Sequence, residues 1–347
     1  GQRSATVAKG RCTVSRIAVL GAGSWGTAFA QIAADNGHDV VLWGRDEYIT
    51  STITNSRTNP AFHPGFTLPE GVWASTNIGT VVRGAQVIVL AIPAQAVRQR
   101  LLEWRSEIPA DAVVLSLIKG LEAGTSLRMT EVVHDVLPCD PAAVGVLSGP
   151  NLAREIMQRL PAAAVVAFPD RTVAELVQAT IATGYFRPYT NTDVTGVELG
   201  GAVKNVIALA VGIAEGMELG ANAYAALMTR GLAETVKLGV GLGANPLTFS
   251  GLAGMGDLVA TCTSPLSRNR SLGELLGRGA GLAEAIAETK QTAEGVTSSH
   301  PLLELANGLD VEMPLTSAVH AVIHEGAEPQ GVMRALMSRD TKPEVSH

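Results

Sequence analysis

Six short runs, apolar at consecutive positions and rich in β-branched residues, punctuate the first half of the chain: 17–20, 40–43, 87–91, 113–116, 144–147 and 163–167. Strands with one wet face alternate apolar and polar residues, whereas continuous apolar runs belong to strands covered on both faces. Between the first two runs, residues 27–36 form an alanine-rich helical stretch that closes at Gly37, and Thr76 predicts the N-cap of another helix before the third. Strand and helix in alternation predict an α/β fold, a parallel, doubly wound, Rossmann-like sheet.

Beyond about Val194 the strand signals give way to helical patterns at 197–217, 223–242, 272–275 onward, 281–288 and 314–324. The expected organisation is a leader (1–15), a sheet domain (16–195), an all-α domain (196–340) and a tail (341–347). Gly200, Gly201 and Gly212 fall inside the first long helix, where each glycine costs about 1 kcal/mol relative to alanine. Close backbone packing or the approach of a substrate must offset that cost.

Charge and composition exclude several classes of function. Lysine and arginine total 26 against 32 acids, a formal net charge of −6, so no basic surplus exists to neutralise a nucleic acid. Cys12, Cys139 and Cys262 are far apart and lack any CxxC spacing, which excludes a disulfide framework and a cysteine-built zinc site and fits a reducing cytoplasm. No apolar run approaches the roughly 18 residues a membrane span requires, the longest, near 206–214, being interrupted by Gly212; no membrane insertion is expected. The leader carries Arg3, Lys9 and Arg11 without an acid, yet it has no apolar h-region and only a weak likeness to a transit peptide; it reads as a flexible arm. Glycine reaches 37 residues while aromatics make up 4%, a balance that favours closely packed helices and tight strand-to-helix turns.

One such turn is explicit. The run 17–20 leads straight into Gly21-Ala22-Gly23-Ser24-Trp25-Gly26 and then a helix, which is GxGxxG in its required setting. Gly21 permits the tight turn, Gly23 lets backbone approach a pyrophosphate, and Gly26 lets the helix lie against the strand, with the anion at the positive helix end. At the end of the second strand, Gly44 and Arg45 stand where an acid would bind the ribose hydroxyls of NAD, so NADP is admitted as well as NAD. Asp46 is the competing feature, since an inward carboxylate there restores NAD use.

Candidate chemistry collects at two strand ends and on two helical segments. Lys119, in Ser116-Leu117-Ile118-Lys119-Gly120, follows a strand at the edge where open α/β sheets bind ligands; standing alone it would read as a solvated lysine. Gly149 and Asn151 offer polar groups at the same edge after Ser148, which is not a nucleophile elbow because GxSxG is absent. Lys204 sits on an otherwise apolar helix with Asn205 beside it and no carboxylate three or four residues away. Such an ammonium suits general acid or base work, the alternative being a snorkelling lysine. Asp257 follows a glycine-rich stretch and is placed to orient Lys204 or a substrate hydroxyl. Arg268 and Asn269, just after it, suit a phosphate, against the blander reading of residues 268–270 as a solvated charged face. His320 and His324 share a helix face but lack the Glu of HExxH and a third ligand, so no metal is expected.

Taken together, GAGSWGTAFA, SLIKGLE, LSGPNLAREI, ELGGAVKNVIALAVGI, GLAGMGDLVATCTSPLSRNRSLG and TAEG closely resemble the NAD(P)-dependent glycerol-3-phosphate dehydrogenases of bacterial type, from Arg16 to about Ala335. The nucleotide fingerprint alone is shared with ketopantoate reductases, 6-phosphogluconate dehydrogenases and hydroxyacyl-CoA dehydrogenases. The resemblance implies interconversion of dihydroxyacetone phosphate and sn-glycerol 3-phosphate with NAD(P)H, a place in glycerophospholipid synthesis, an α-helical carboxyl domain and a homodimer. It further implies cofactor contacts at Ser24, Trp25, Arg45, Lys119, Ala153, Arg268, Thr292 and Glu294. Around the triose phosphate it implies Lys119, Gly149, Asn151, Lys204, Asp257, Ser267, Arg268 and Asn269, with Lys204 the proton donor or acceptor. Asn151 stands where a small hydroxyl residue is common in the family, and Thr292 where valine is common. The competing functions are another two-domain reductase acting on a carboxylate substrate and a dinucleotide sensor without turnover.

Overall fold

The computed structural model describes residues 16–289 and 293–338. The leader, Thr292 and the tail lie outside the described residues.

Eight strands form one sheet in the order β3-β2-β1-β4-β5-β6-β7-β8. They are β1 (Arg16–Leu20), β2 (Asp39–Trp43), β3 (Val72–Ser75), β4 (Val87–Leu90), β5 (Val113–Ser116), β6 (Val144–Ser148), β7 (Ala162–Ala167) and β8 (Phe186–Asn191). Helices α1 (Ser24–Asp35), α2 (Glu47–Ser56), α3 (Ile78–Val82), α4 (Val97–Trp104), α5 (Met129–Val136), α6 (Ala153–Met157) and α7 (Arg171–Ile181) connect them. Two apolar layers, one around Phe29, Ile32 and Val89 and the other around Leu90, Leu101 and Val132, cover the two faces. Burying each such side chain contributes roughly 1.5–3 kcal/mol, and double coverage is why the central strands read as unbroken apolar runs.

The sheet departs from the expected all-parallel form: β7 pairs with β6 antiparallel, and β8 then runs parallel to β7. The connection explains it. Helix α6 has 5 residues, a rise of about 7.5 Å, whereas a return along β7 would need about 20 Å, so the chain comes back beside β6 reversed. The two strands without an apolar run, β3 and β8, are the two edges. Their burial alternates, and β8 turns Arg187 and Tyr189 outward and carries Pro188, which an edge strand tolerates. The cap of α3 is Asn77, whose side chain accepts from Thr80 N at 2.8 Å, rather than Thr76.

The helical half comprises α8 (Val194–Gly216), α9 (Ala221–Gly241), α10 (Asp257–Thr263), α11 (Arg268–Gly277), α12 (Leu282–Thr289), α13 (Glu294–Gly308), α14 (Pro314–His324) and α15 (Pro329–Met337). Helix α13, not expected from the pattern, contains Pro301, a residue that normally breaks a helix interior. Helix α8, 23 residues long, is apolar enough by length and composition to cross a membrane, longer than the sequence pattern suggested. Its apolar window is wholly buried, which makes it the central core helix of this half. A Cβ on Gly212 would lie 2.1 Å from Arg270 O, and one on Gly273 would lie 2.3 Å from Leu209 O, so glycines on α8 and α11 let the two backbones touch. Glu198 fastens α8 to the sheet half: its buried carboxylate accepts from Arg128, from Thr130 N at 3.0 Å and from the Thr130 hydroxyl at 2.6 Å.

Candidate functional site

At the end of β1 the glycine loop has the shape its sequence demands. Gly21 adopts φ +136°, and a Cβ there would lie 2.3 Å from Ala91 O. A Cβ on Gly26 would lie 1.9 Å from Gly21 O, so helix α1 closes on the strand with no space for a side chain. Gly23 differs: nothing lies within 4 Å of the direction its side chain would take, and no side chain caps α1. The first-turn N–H groups thus face outward from a helix end of positive potential, the cradle a pyrophosphate requires. Ser24 and Trp25 are half-buried in this first turn, and Trp25 packs, with Ala153 at the start of α6, against one core of the sheet.

Arg45 is exposed beyond β2. Asp46 is otherwise engaged: its Oδ1 accepts from Tyr48 N at 2.8 Å and Ile49 N at 3.3 Å, N-capping α2. The carboxylate that competed with Arg45 in the sequence is therefore committed to a helix terminus.

Three charges from distant parts of the chain meet between the halves. Lys204 on α8 donates to Asp257 Oδ1 at 2.5 Å and to Thr261 Oγ1 at 2.7 Å. Lys119, beyond β5, donates to Asp257 Oδ2 at 2.7 Å and to Gly149 O at 2.9 Å. Asp257, 1% exposed, thus bridges two ammonium groups. Burial alone would push its carboxyl up; the charges and hydrogen bonds of Lys119 and Lys204 outweigh that and hold it below the usual carboxylate range. Burial, reinforced by the Lys204 charge and opposed by Asp257, draws Lys119 down from its ordinary 10.5 to about 8.

The glycines on α8 make this meeting feasible. Gly200 and Gly201 precede Lys204 by four and three residues, so all three share a helix face. A Cβ on Gly200 would lie 2.4 Å from Ala253 O, in the π-helical turn Leu252–Gly256 that leads into Asp257. On Gly201 it would lie 2.6 Å from Ser148 Oγ and 3.3 Å from the Lys119 Cγ. The helix face bearing Lys204 is thus stripped so that Asp257 and Lys119 can reach it.

A second polar chain runs alongside. Asn205 Nδ2 donates to Lys119 O at 3.0 Å, Asn269 Nδ2 donates to Asn205 Oδ1 at 3.0 Å, and Gly295 N donates to Asn269 Oδ1 at 3.0 Å. Asn269 is therefore turned into the protein, while its neighbour Arg268 is exposed. Ser267 N-caps α11, accepting from Arg270 N at 3.3 Å. Glu294 lies beside Gly120 and the Arg268 charge; burial raises its carboxyl to about 7 although Arg268 and the Ala94 amide oppose it. Thr261 was not singled out in the sequence, although its spacing of four from Asp257 on one helix was legible.

Several buried polar atoms have no partner: Ser148 Oγ, both side-chain termini of Asn151, Glu294 Oε2, Ser298 Oγ and Trp25 Nε1. Leaving such a group unpaired costs about 1–3 kcal/mol. Ser148, beside Gly201 and Lys119, and Glu294 with Ser298, beside Gly120, flank the lysine. Unsatisfied donors and acceptors on both sides of a buried ammonium, next to an uncapped glycine loop, fit a polar dinucleotide and a small anionic substrate. Among the described residues, no group of three or more His, Cys, Asp or Glu could hold a metal ion.

A glycine-loop sheet joined to a helical half that supplies a buried lysine defines a two-lobed, dinucleotide-dependent oxidoreductase. Family models described as the N-terminus and the C-terminus of NAD-dependent glycerol-3-phosphate dehydrogenase match residues 16–174 and 193–334. The chain belongs to that family. It is 55% identical over 329 residues to the glycerol-3-phosphate dehydrogenase [NAD(P)+] of Streptomyces coelicolor, covering 95% of this chain and 98% of the relative. Against the enzyme of the same name from Thermobifida fusca it is 56% identical over 332 residues, covering 95% and 99%. The crystal structure of glycerol-3-phosphate dehydrogenase from Coxiella burnetii superimposes with a TM-score of 0.90 at 37% identity, over 94% of this chain and 99% of that one.

Proposed function

We propose that the protein interconverts dihydroxyacetone phosphate and sn-glycerol 3-phosphate with NAD(P)H. The observation that carries this reading is the Lys204 ammonium, buried and aimed by Asp257 and Thr261, at 2.5 Å and 2.7 Å, beside a second lysine.

The dinucleotide, when bound, supplies the hydride. Gly21, Gly23 and Gly26 shape the loop that would hold its pyrophosphate, with Ser24, Trp25 and Ala153 around it and Arg45 placed for a 2′-phosphate. Glu294, beside Gly120 and within the Arg268 charge, lines the site on the helical side. The substrate phosphate is gripped by Arg268, whose guanidinium forms charge-assisted hydrogen bonds to such a group. Asn151 and Ser148 supply polar contacts for the three-carbon unit. Lys204 donates its proton to the carbonyl oxygen as that oxygen becomes an alkoxide, and takes it back in the reverse direction. Asp257 orients Lys204, and Lys119 adds positive charge where negative charge develops. Asn205 and Asn269 tie Lys119 to the N-terminus of α13. In this reading residues 16–195 serve the cofactor and residues 196–340 chiefly the substrate.

The product is the three-carbon backbone of glycerophospholipids, so the enzyme serves lipid synthesis, as a homodimer in the cytoplasm. Following the nicotinamide absorbance with NADPH, then NADH, tests the reaction. Dihydroxyacetone phosphate should oxidise the cofactor steadily; ketopantoate should not. Oxidation by ketopantoate alone would assign a different substrate, and binding without turnover would leave a sensor.

A further inference from the structure

The connection between α2 and β3 reaches the glycine loop, and neither the loop motif nor the mechanism accounts for it. Its backbone closes on itself, Leu68 N donating to Arg57 O at 2.7 Å and His63 N to Asn59 O at 2.8 Å, with Leu68 buried in the core. From this brace two buried side chains project. Asn59 Nδ2 donates to Ala22 O at 3.0 Å and to Thr27 Oγ1 at 2.9 Å. His63 Nε2 lies 2.8 Å from Ser24 O, which fixes the ring hydrogen on that nitrogen, with Ser24 Oγ 3.3 Å away. Asn59 and His63 are 1% and 3% exposed, so neither is a surface contact formed by chance.

The carbonyls they hold are informative. A trans peptide is planar and directs its C=O and N–H to opposite sides. Pinning the carbonyl of Ala22 therefore sets the direction of the Gly23 N–H, and pinning that of Ser24 sets the Trp25 N–H. These two amides belong to the uncapped start of α1. We propose that Asn59 and His63 are positioning residues, a clasp that presets the pyrophosphate-binding amides of the glycine loop from behind. The inference rests on the reading of that loop as the dinucleotide site.

Binding of NADPH and of ADP-ribose to the purified protein, by titration calorimetry, tests it alongside steady-state kinetics. His63→Leu should weaken both ligands by the same factor, about tenfold, the scale of losing one or two net hydrogen bonds. Turnover at saturating NADPH and KM for dihydroxyacetone phosphate should stay within about twofold, because the clasp touches neither the lysines nor Arg268. His63→Gln, whose amide nitrogen can donate to the same carbonyl, should recover affinity to within about threefold. Asn59→Ala, which releases the other carbonyl, should repeat the loss and gives the answer should His63→Leu not fold. Wild-type affinity for both ligands in His63→Leu or Asn59→Ala would overturn the clasp, as would a loss confined to NADPH. Wild-type protein that binds neither ligand would instead overturn the dinucleotide reading beneath it.

Discussion

In the sheet half, the cradle proposed for the cofactor is the glycine loop, residues 21–26, consecutive in the chain and shaped almost wholly by backbone. In the helical half, Lys204 and Asp257 are 53 residues apart, and Asp257 stands 138 residues from the Lys119 it also holds. The first is a local motif whose glycines fix turn and clearance; the second exists only when α8, the π-helical turn and the loop after β5 have packed. Binding should therefore fail with the loop, and chemistry with the packing.

Substitutions in each half test that division. Lys204→Ala should lower kcat by roughly 100-fold to 10,000-fold, the usual scale for a positioned acid or base, while NADPH binding measured directly stays near wild type. Gly26→Ala sits at the opposite pole: its methyl would lie 1.9 Å from Gly21 O. Overpacking of about 1–3 kcal/mol should appear as a loss of NADPH affinity of about tenfold to a hundredfold, with kcat at saturation nearly kept. Arg268→Ala should raise KM for dihydroxyacetone phosphate by about tenfold or more, the worth of a charge-assisted contact, and an unchanged KM would place the phosphate elsewhere. The smallest effect is in pH. Lys119, lowered to about 8, is cationic below that pH and loses its charge as pH rises through it. KM for dihydroxyacetone phosphate should then climb above about pH 8, by at most about tenfold per unit, and Lys119→Arg should flatten the climb because a guanidinium stays charged.

The same contrast decides what was legible in the chain. Central strands, covered on both faces, wrote themselves as apolar runs; β3 and β8, at the edges, alternate and carry residues such as Pro188, so no run marked them. The reversal at β7 lay in the length of α6, which no residue type signals. Around the site, Gly21, Gly23 and Gly26 were readable because their reasons are local. Lys204 was readable as an anomaly, an ammonium in an apolar helix, but its partners were not: Thr261 and the bridging of both lysines by Asp257 depend on folding. Gly200, Gly201 and Gly212 were conspicuous for their cost, and the reason is close packing in each case, against Ala253, Ser148 with Lys119, and Arg270. Asn269 reads as a phosphate contact beside Arg268; that its amide also joins Asn205 to Gly295 depends on folding and carries no signal in the chain. Asn59 and His63 carried no signal, because a donor to a backbone carbonyl has no spacing rule.

In the proposed mechanism the Lys204 ammonium is the proton donor to the reacting oxygen. Single-turnover oxidation of bound NADPH by dihydroxyacetone phosphate in Lys204→Ala, with and without added ethylammonium, tests it most directly. A slow reaction is expected that the free amine accelerates saturably, by about tenfold or more, and that is not accelerated when ethylammonium is replaced by a tetraalkylammonium that has no proton to give. Hydride transfer at nearly the wild-type rate without any amine would contradict it.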